Sequence, residues 1–160
     1  MTNADAGKTA GVRFRAATAA DIQRLIELIA SADLPPAFIE EFLEGFVAAE
    51  RDGVIIACGG VEMYERCAVI RSVVVDAAAR GLGLGRRIAE MLMQNARDAG
   101  ATDLYLFTGD AVEFWKRLGF ADVTFEEWKE PARACWQYQF LSQNPNIVPG
   151  IHTMWRSAGA

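Results

Sequence analysis

From residue 12 the apolar and polar positions alternate in "VRFRAA", a period of two that predicts a strand. The period then lengthens: Ile22, Leu25, Ile26 and Ile29 share one face of "AADIQRLIELIASAD", a helix with Thr18 as its candidate N-cap. Pro35 and Pro36 suit the first turn of a second short helix, "PPAFIEEFLEG", with Phe38, Phe42 and Leu43 facing inward. "FVAAERDGVIIACGGVEMYE" reads as a hairpin turning at Asp52-Gly53, and "CAVIRSVVVD" as the next, antiparallel strand.

A glycine-rich loop comes next, and then a helix on which Leu84, Ile88, Met91, Leu92 and Ala96 keep a 3.6 period up to Gly100, a candidate C′ residue. "DLYLFT" is a buried strand, "DAVEFWKRLG" a short helix ended by Gly119, and "FADVTF" another strand. This β-loop-α-β-α-β order allows the strand after the long helix to lie parallel to the strand before it. Beyond Phe125 the pattern weakens to one short helix, an irregular stretch and a last strand at "IHTMW". The fold class is α/β, with a mixed central sheet of six to seven strands and helices on both faces.

With 160 residues, 52% of them apolar, the chain suits one domain, here residues 12–160 behind a flexible polar leader, 1–11. A net charge of −5 and the lack of a long basic run argue against nucleic acid as partner. Three cysteines without C-x-x-C spacing and a single histidine, His152, offer no metal set and suggest a reducing compartment. No apolar run approaches the roughly 18 residues of a membrane span, so the expectation is a cytoplasmic protein without a membrane partner.

Against that acidic background, "RGLGLGRR" puts Arg80, Arg86 and Arg87 where a helix begins. The dinucleotide pattern G-x-G-x-x-G fails because Arg86 stands where its third glycine belongs and "DAAAR" separates the loop from the strand, and the G-x-x-x-x-G-K-[ST] phosphate loop fails for want of Lys-Ser or Lys-Thr. The bland alternative, a flexible connection, leaves two things unexplained. No Ser, Thr, Asp or Asn caps the helix, and the three cations oppose its macrodipole at about 0.3–1 kcal/mol each unless an anion offsets them. Glycines that let backbone N–H groups approach a ligand complete a candidate pyrophosphate cradle over Arg80, Gly81, Leu82, Gly83, Leu84, Gly85 and Arg86.

"VVVDAAARGLGLGRRI" resembles motif A of the GNAT acyl-CoA N-acyltransferase family, whose R/Q-x-x-G-x-G/A core is met by Arg80, Gly83 and Gly85, and "AVEFWKRLGF" resembles its motif B. Within the family, "GGVEMYE", "IRSVVVD" and "LYLFTGDAVEFWKRLGF" are similar to arsenic-resistance-associated N-acetyltransferases and to the acetyltransferase domain of N-acetylglutamate synthases. Gln143 and Asn144 stand where those proteins carry Leu-Cys, in a segment that walls the acceptor pocket.

The resemblance implies acetyl-CoA as cosubstrate and a small amine, amino-acid-like, as acceptor. It places the Val73 and Val75 backbone along the pantetheine arm, the Val74 and Val75 N–H groups at the thioester carbonyl, and Phe114 and Arg117 of motif B against the cofactor. Glu62 is the candidate general base, on a strand where alternation alone equally allows an outward residue. Arg71 is the candidate clamp for an acceptor carboxylate, with a surface ion pair as the plain alternative. Trp115 occupies the place of the family's tyrosine acid and cannot ionise as one, which leaves Tyr64, Tyr105, Tyr138, water or no acid at all. His152 and the four tryptophans receive no catalytic role, and a homodimer burying some of the latter is ordinary for the fold. Two rival functions stand beside this one: a non-catalytic acetyl-CoA sensor, and an acetyltransferase acting on protein N-termini or lysines.

Overall fold

The alternating segment becomes β1, Val12–Ala16, and the helix behind it α1, Ile22–Ser31, in the computed structural model, which describes residues 9–159. The leader expected over 1–11 falls, as far as residue 8, outside the described residues. Thr18 is extended and opens a single 3-10 turn, Ala19–Asp21, from which α1 continues. The Asp21 carboxylate accepts the Thr18 N–H at 2.7 Å and is gripped by two Arg15 nitrogens at 2.6 and 2.9 Å. Arg15 Nε reaches Glu50 at 2.6 Å, so one guanidinium ties the helix start to neighbouring strands.

The second helix expected at 35–45 does not form. Pro35 and Pro36 each disfavour helical backbone in the residue before them, and Phe38 sits at φ +59°, which interrupts any continuous i to i−4 ladder. The segment runs as turns into a 3-10 turn at Leu43–Gly45, with Phe38 exposed and Ile39 buried in its place.

Strands β2, Phe46–Arg51, and β3, Val54–Tyr64, join through Asp52 and Gly53 at φ +52° and +77°, the mirror-image turn that matches strand twist. The remaining strands are β4, Cys67–Val75, β5, Asp103–Thr108, β6, Ala121–Asp122, and β7, His152–Ser157. One seven-stranded sheet results, in the order β1-β2-β3-β4-β5-β7-β6. The β4–β5 ladder is parallel, as the crossover through α2, Leu84–Asp98, requires, whereas β1–β2, β2–β3, β5–β7 and β6–β7 are antiparallel.

The chain divides into two compact units, the first made of the described residues up to Val61 together with Ser72–Leu92. Its core packs Leu25, Leu28 and Ile29 of α1 with Phe46, Ala48, Ile55, Cys58 and Val74 of the strands. A Cβ on Gly59 would lie 2.7 Å from Ile88 and 2.8 Å from Leu92, so α2 is seated where a side chain is missing. Gly60 likewise makes room for the Phe46 ring, 2.6 Å from where its Cβ would stand.

The second unit comprises Glu62–Arg71 and residues from Met93 on. Its core holds Cys67, Val69, Tyr105, Trp128, Ala132 and Cys135. The stretch after Phe125 holds two helices rather than one, α4, Glu130–Arg133, and α5, Trp136–Gln143. They are fastened by buried Asp103, which accepts from Lys129 Nζ at 2.7 Å and Trp155 Nε1 at 2.9 Å, and by Trp128, whose ring lies 4.5 Å from Tyr105 and 4.6 Å from Phe107.

Arg15 holds the Asp21 carboxyl down to about 2, against an ordinary value near 3.8. A folded-state value below the unfolded one contributes stability above the unfolded value and loses it as pH falls toward the folded one. Asp21→Asn is therefore expected to flatten the loss of stability between about pH 4 and about 2 and to cost on the order of 2 kcal/mol at neutral pH, read from denaturant midpoints against pH.

Candidate active site

In the first unit the site is built from the end of β4. The β4–β5 register stops at Ile70 opposite Leu106, and at Ser72 the backbone turns through φ +57°. Val73, Val74 and Val75 lie beyond that ladder; Val74 is buried in the core, while Val73 and Val75 are half-buried. Their backbone edge is the kind of surface along which an extended amide-bearing ligand adds as a strand.

Asp76 ends the strand: its N–H donates to Ile56 O at 2.8 Å and its carboxylate accepts the Ala78 N–H at 3.0 Å, closing a turn over Ala77–Ala79. Arg80 is extended, and Gly81 and Gly83 lie beyond it at φ +80° and +77°. A side chain at either glycine would cost about 1–2 kcal/mol in backbone strain, although a Cβ there meets nothing within 4 Å. The space before the loop is open, and the chain uses glycine for its dihedrals. Leu82 is half-buried, Leu84 is buried and starts α2, and Gly85 lies in its first turn. The first N–H groups of such a helix have no partner in their own turn. Arg80, Arg86 and Arg87 are all exposed; Arg86 pairs with Glu90 at 3.0 Å and Arg87 lies 5.5 Å from the Phe14 ring.

In the second unit the structure brings Glu62 and Arg71 together. Glu62 is 1% exposed, neither outward nor solvated, and accepts from Arg71 Nη1 at 2.9 Å and from the Tyr64 hydroxyl at 2.6 Å. Arg71 is 7% exposed, with its guanidinium 5.4 Å from the Trp136 ring. Burial, and then the Glu62 carboxylate, push the Tyr64 hydroxyl well above the ordinary phenol range.

The other candidates are spread more widely. Motif B forms α3, Val112–Arg117, with Trp115 buried edge-on against Phe114 and Phe120, so the residue at the tyrosine position is part of the core. Phe114 is half-buried and Arg117 exposed. The Tyr105 hydroxyl accepts the Lys129 N–H and that of Tyr138 donates to Phe125 O, which gives both structural work. His152 is exposed, 3.6 Å from Asp122. Cys58, Cys67 and Cys135 are buried and free, and burial pushes the first and last thiols up to about 12, out of reach of neutral-pH thiolate chemistry. Among the described residues no group of three or more His, Cys, Asp or Glu could hold a metal, and no helix is long and apolar enough to cross a membrane.

Sequence reasoning missed Ser72 and the Arg24–Asp76 pair. Nothing local marks a serine for left-handed backbone, whereas an Asp directly before "AAAR" is a visible turn-capping signal.

Known proteins share this architecture. The chain is 29% identical over 139 residues to an amino-acid acetyltransferase of Mannheimia succiniciproducens, covering 81% of this chain and 32% of that protein. In fold it is similar to N-acetylglutamate synthase of Neisseria gonorrhoeae solved with coenzyme A and N-acetyl-glutamate, with a TM-score of 0.78 and 21% identity over 93% of this chain and 35% of that one. A Mycobacterium tuberculosis protein solved with CoA matches with a TM-score of 0.75 and 25% identity over 91% of this chain and 98% of that one. The chain thus spans about a third of the length of the first of these relatives. The family model for the acetyltransferase (GNAT) family matches residues 18–120, a span that carries β2 to β4, the glycine loop and α3, and this chain belongs to that family.

Proposed function

We propose that this chain transfers the acetyl group of acetyl-CoA to the amino group of a small, amino-acid-like acceptor. The observation that carries the reading is β4 running out of its ladder into a loop where Gly81 and Gly83 turn left-handed before an arginine-flanked helix start. That loop fits a pyrophosphate: open space in front of two glycines, N–H groups of a first helical turn, and exposed Arg80 and Arg86. Val73 and Val75 would hold the pantetheine amides through their backbone, and the Val74 and Val75 N–H groups would polarise the thioester carbonyl. When bound, acetyl-CoA supplies the activated acyl group; Phe114 and Arg117 are the motif B residues assigned to its contact.

The acceptor class draws on the amino-acid acetyltransferases among the relatives and on the Glu62–Arg71 pair. Arg71 is the assigned clamp for an acceptor carboxylate, and Glu62 fixes its fork. Glu62 is buried with one oxygen on the Tyr64 hydroxyl, so in this reading the acceptor amine passes its proton to the Tyr64 oxygen as the Tyr64 proton passes to Glu62. Burial of Trp115 favours one second reading, a protein that binds acetyl-CoA without turning it over. CoA release across a panel of free amino acids and peptides separates the two: binding without release supports the sensor, and release with peptides alone moves the acceptor to protein.

Gly83→Val is expected to weaken CoA at least about tenfold in calorimetry while the melting temperature falls by only a few degrees, since the strain is about 1–2 kcal/mol. Unchanged affinity removes the cradle. Arg71→Lys keeps a cation beside Glu62 and loses the planar fork, so the acceptor KM should rise about tenfold or more with CoA affinity within about twofold. An unchanged acceptor KM takes the clamp away from Arg71.

A further inference from the structure

Asp76 poses an electrostatic problem for the cradle. It directly follows Val75, stands four residues before Arg80, and its carboxylate is needed to cap the Ala77–Ala79 turn that sets the direction of the loop. A carboxylate there also repels any anion held by Arg80 and the glycines. Half a helix turn into α1, Arg24 answers both demands. Its Nη2 donates to Asp76 Oδ2 at 3.0 Å and its Nε donates to Ile55 O at 3.1 Å, while Asp76 Oδ1 remains on the Ala78 N–H. The two side chains are about one-third exposed, 34% and 33%, so the pair is partly screened; one directed hydrogen bond joins it, and a second, to Ile55 O, fixes the guanidinium in place. Glu27 lies 3.9 Å away on the same helix, close enough to attract the guanidinium without a hydrogen bond. The Ala78 N–H and then Arg24 hold the Asp76 carboxyl below the ordinary range, with Arg80 adding to the effect, which places all three charges in one field.

We propose that Arg24 is a positioning residue for the cofactor loop, fixing Asp76 on its turn and cancelling a negative charge that otherwise opposes the bound pyrophosphate. The inference rests on the reading of Arg80–Arg86 as the pyrophosphate cradle. It concerns a helix whose apolar face already accounts for its presence, so a purely structural Arg24 would affect melting and leave ligand discrimination alone.

The test compares CoA with pantetheine, which lacks every phosphate, by calorimetry for the first and NMR titration for the second. Arg24→Gln is expected to weaken CoA about tenfold and pantetheine less than about twofold. Asp76→Asn keeps a capping oxygen for the Ala78 N–H and removes the charge, so Arg24→Gln/Asp76→Asn should recover CoA affinity to within about threefold of wild type. The proposal is overturned if Arg24→Gln leaves CoA affinity unchanged, weakens both ligands equally, or is not rescued by the second substitution. Gly83→Val serves as the control for the cradle itself. If it discriminates CoA from pantetheine and Arg24→Gln does not, Arg24 alone loses its role; if it fails to discriminate, the pyrophosphate assignment falls with it.

Discussion

Strand β4 commits Cys67–Ile70 to a parallel ladder with Asp103–Leu106, and two residues later its backbone passes through the left-handed region at Ser72. A serine there costs on the order of 1–2 kcal/mol and re-aims the strand, so Val73–Val75 continue outside that ladder. Backbone donors and acceptors on such an edge require partners, and an extended amide ligand can supply them. From Val75 the chain takes its steps in a fixed order: Asp76 stops the strand, a capped turn sets the direction, and two left-handed glycines bring the chain to the start of α2. Each step depends on the strand having left the ladder first.

Charge is distributed around that frame by necessity. A chain with net charge −5 carries three exposed arginines at a helix N-terminus, and they are tolerable because Glu90 and the Phe14 ring engage two of them and an anion can engage the site as a whole. The Glu62–Arg71 pair obeys a different rule. Two charges this deep lose most of their hydration, and hydrogen bonds from Arg71 and Tyr64 must replace it, so removing either partner leaves a buried charge behind. Such a pair is well suited to holding a guanidinium in one orientation.

Much of the fold was legible in the sequence. The Asp-Gly turn, the 3.6 period of α2 and its Gly100 stop, and the parallel crossover all rest on local rules that tertiary packing did not override. The helix expected at 35–45 does not form because the Pro35-Pro36 pair and the left-handed backbone of Phe38 outweigh the helical spacing of its apolar residues. Two helices replaced one after Phe125 because their hold comes from Asp103, Tyr105 and Trp155, distant in sequence.

The amino-acid sequence alone determined the strand and helix order and the glycine-arginine loop at a helix start, since each depends on residues within a few positions of one another. Only the tertiary structure decided that Glu62 and Arg71 form one buried pair, that Trp115 is core, and that Arg24 covers Asp76. These are contacts across 9 and 52 residues of chain, or a matter of burial, and neither periodicity nor spacing reports which distant side chains will share a volume from which water is excluded.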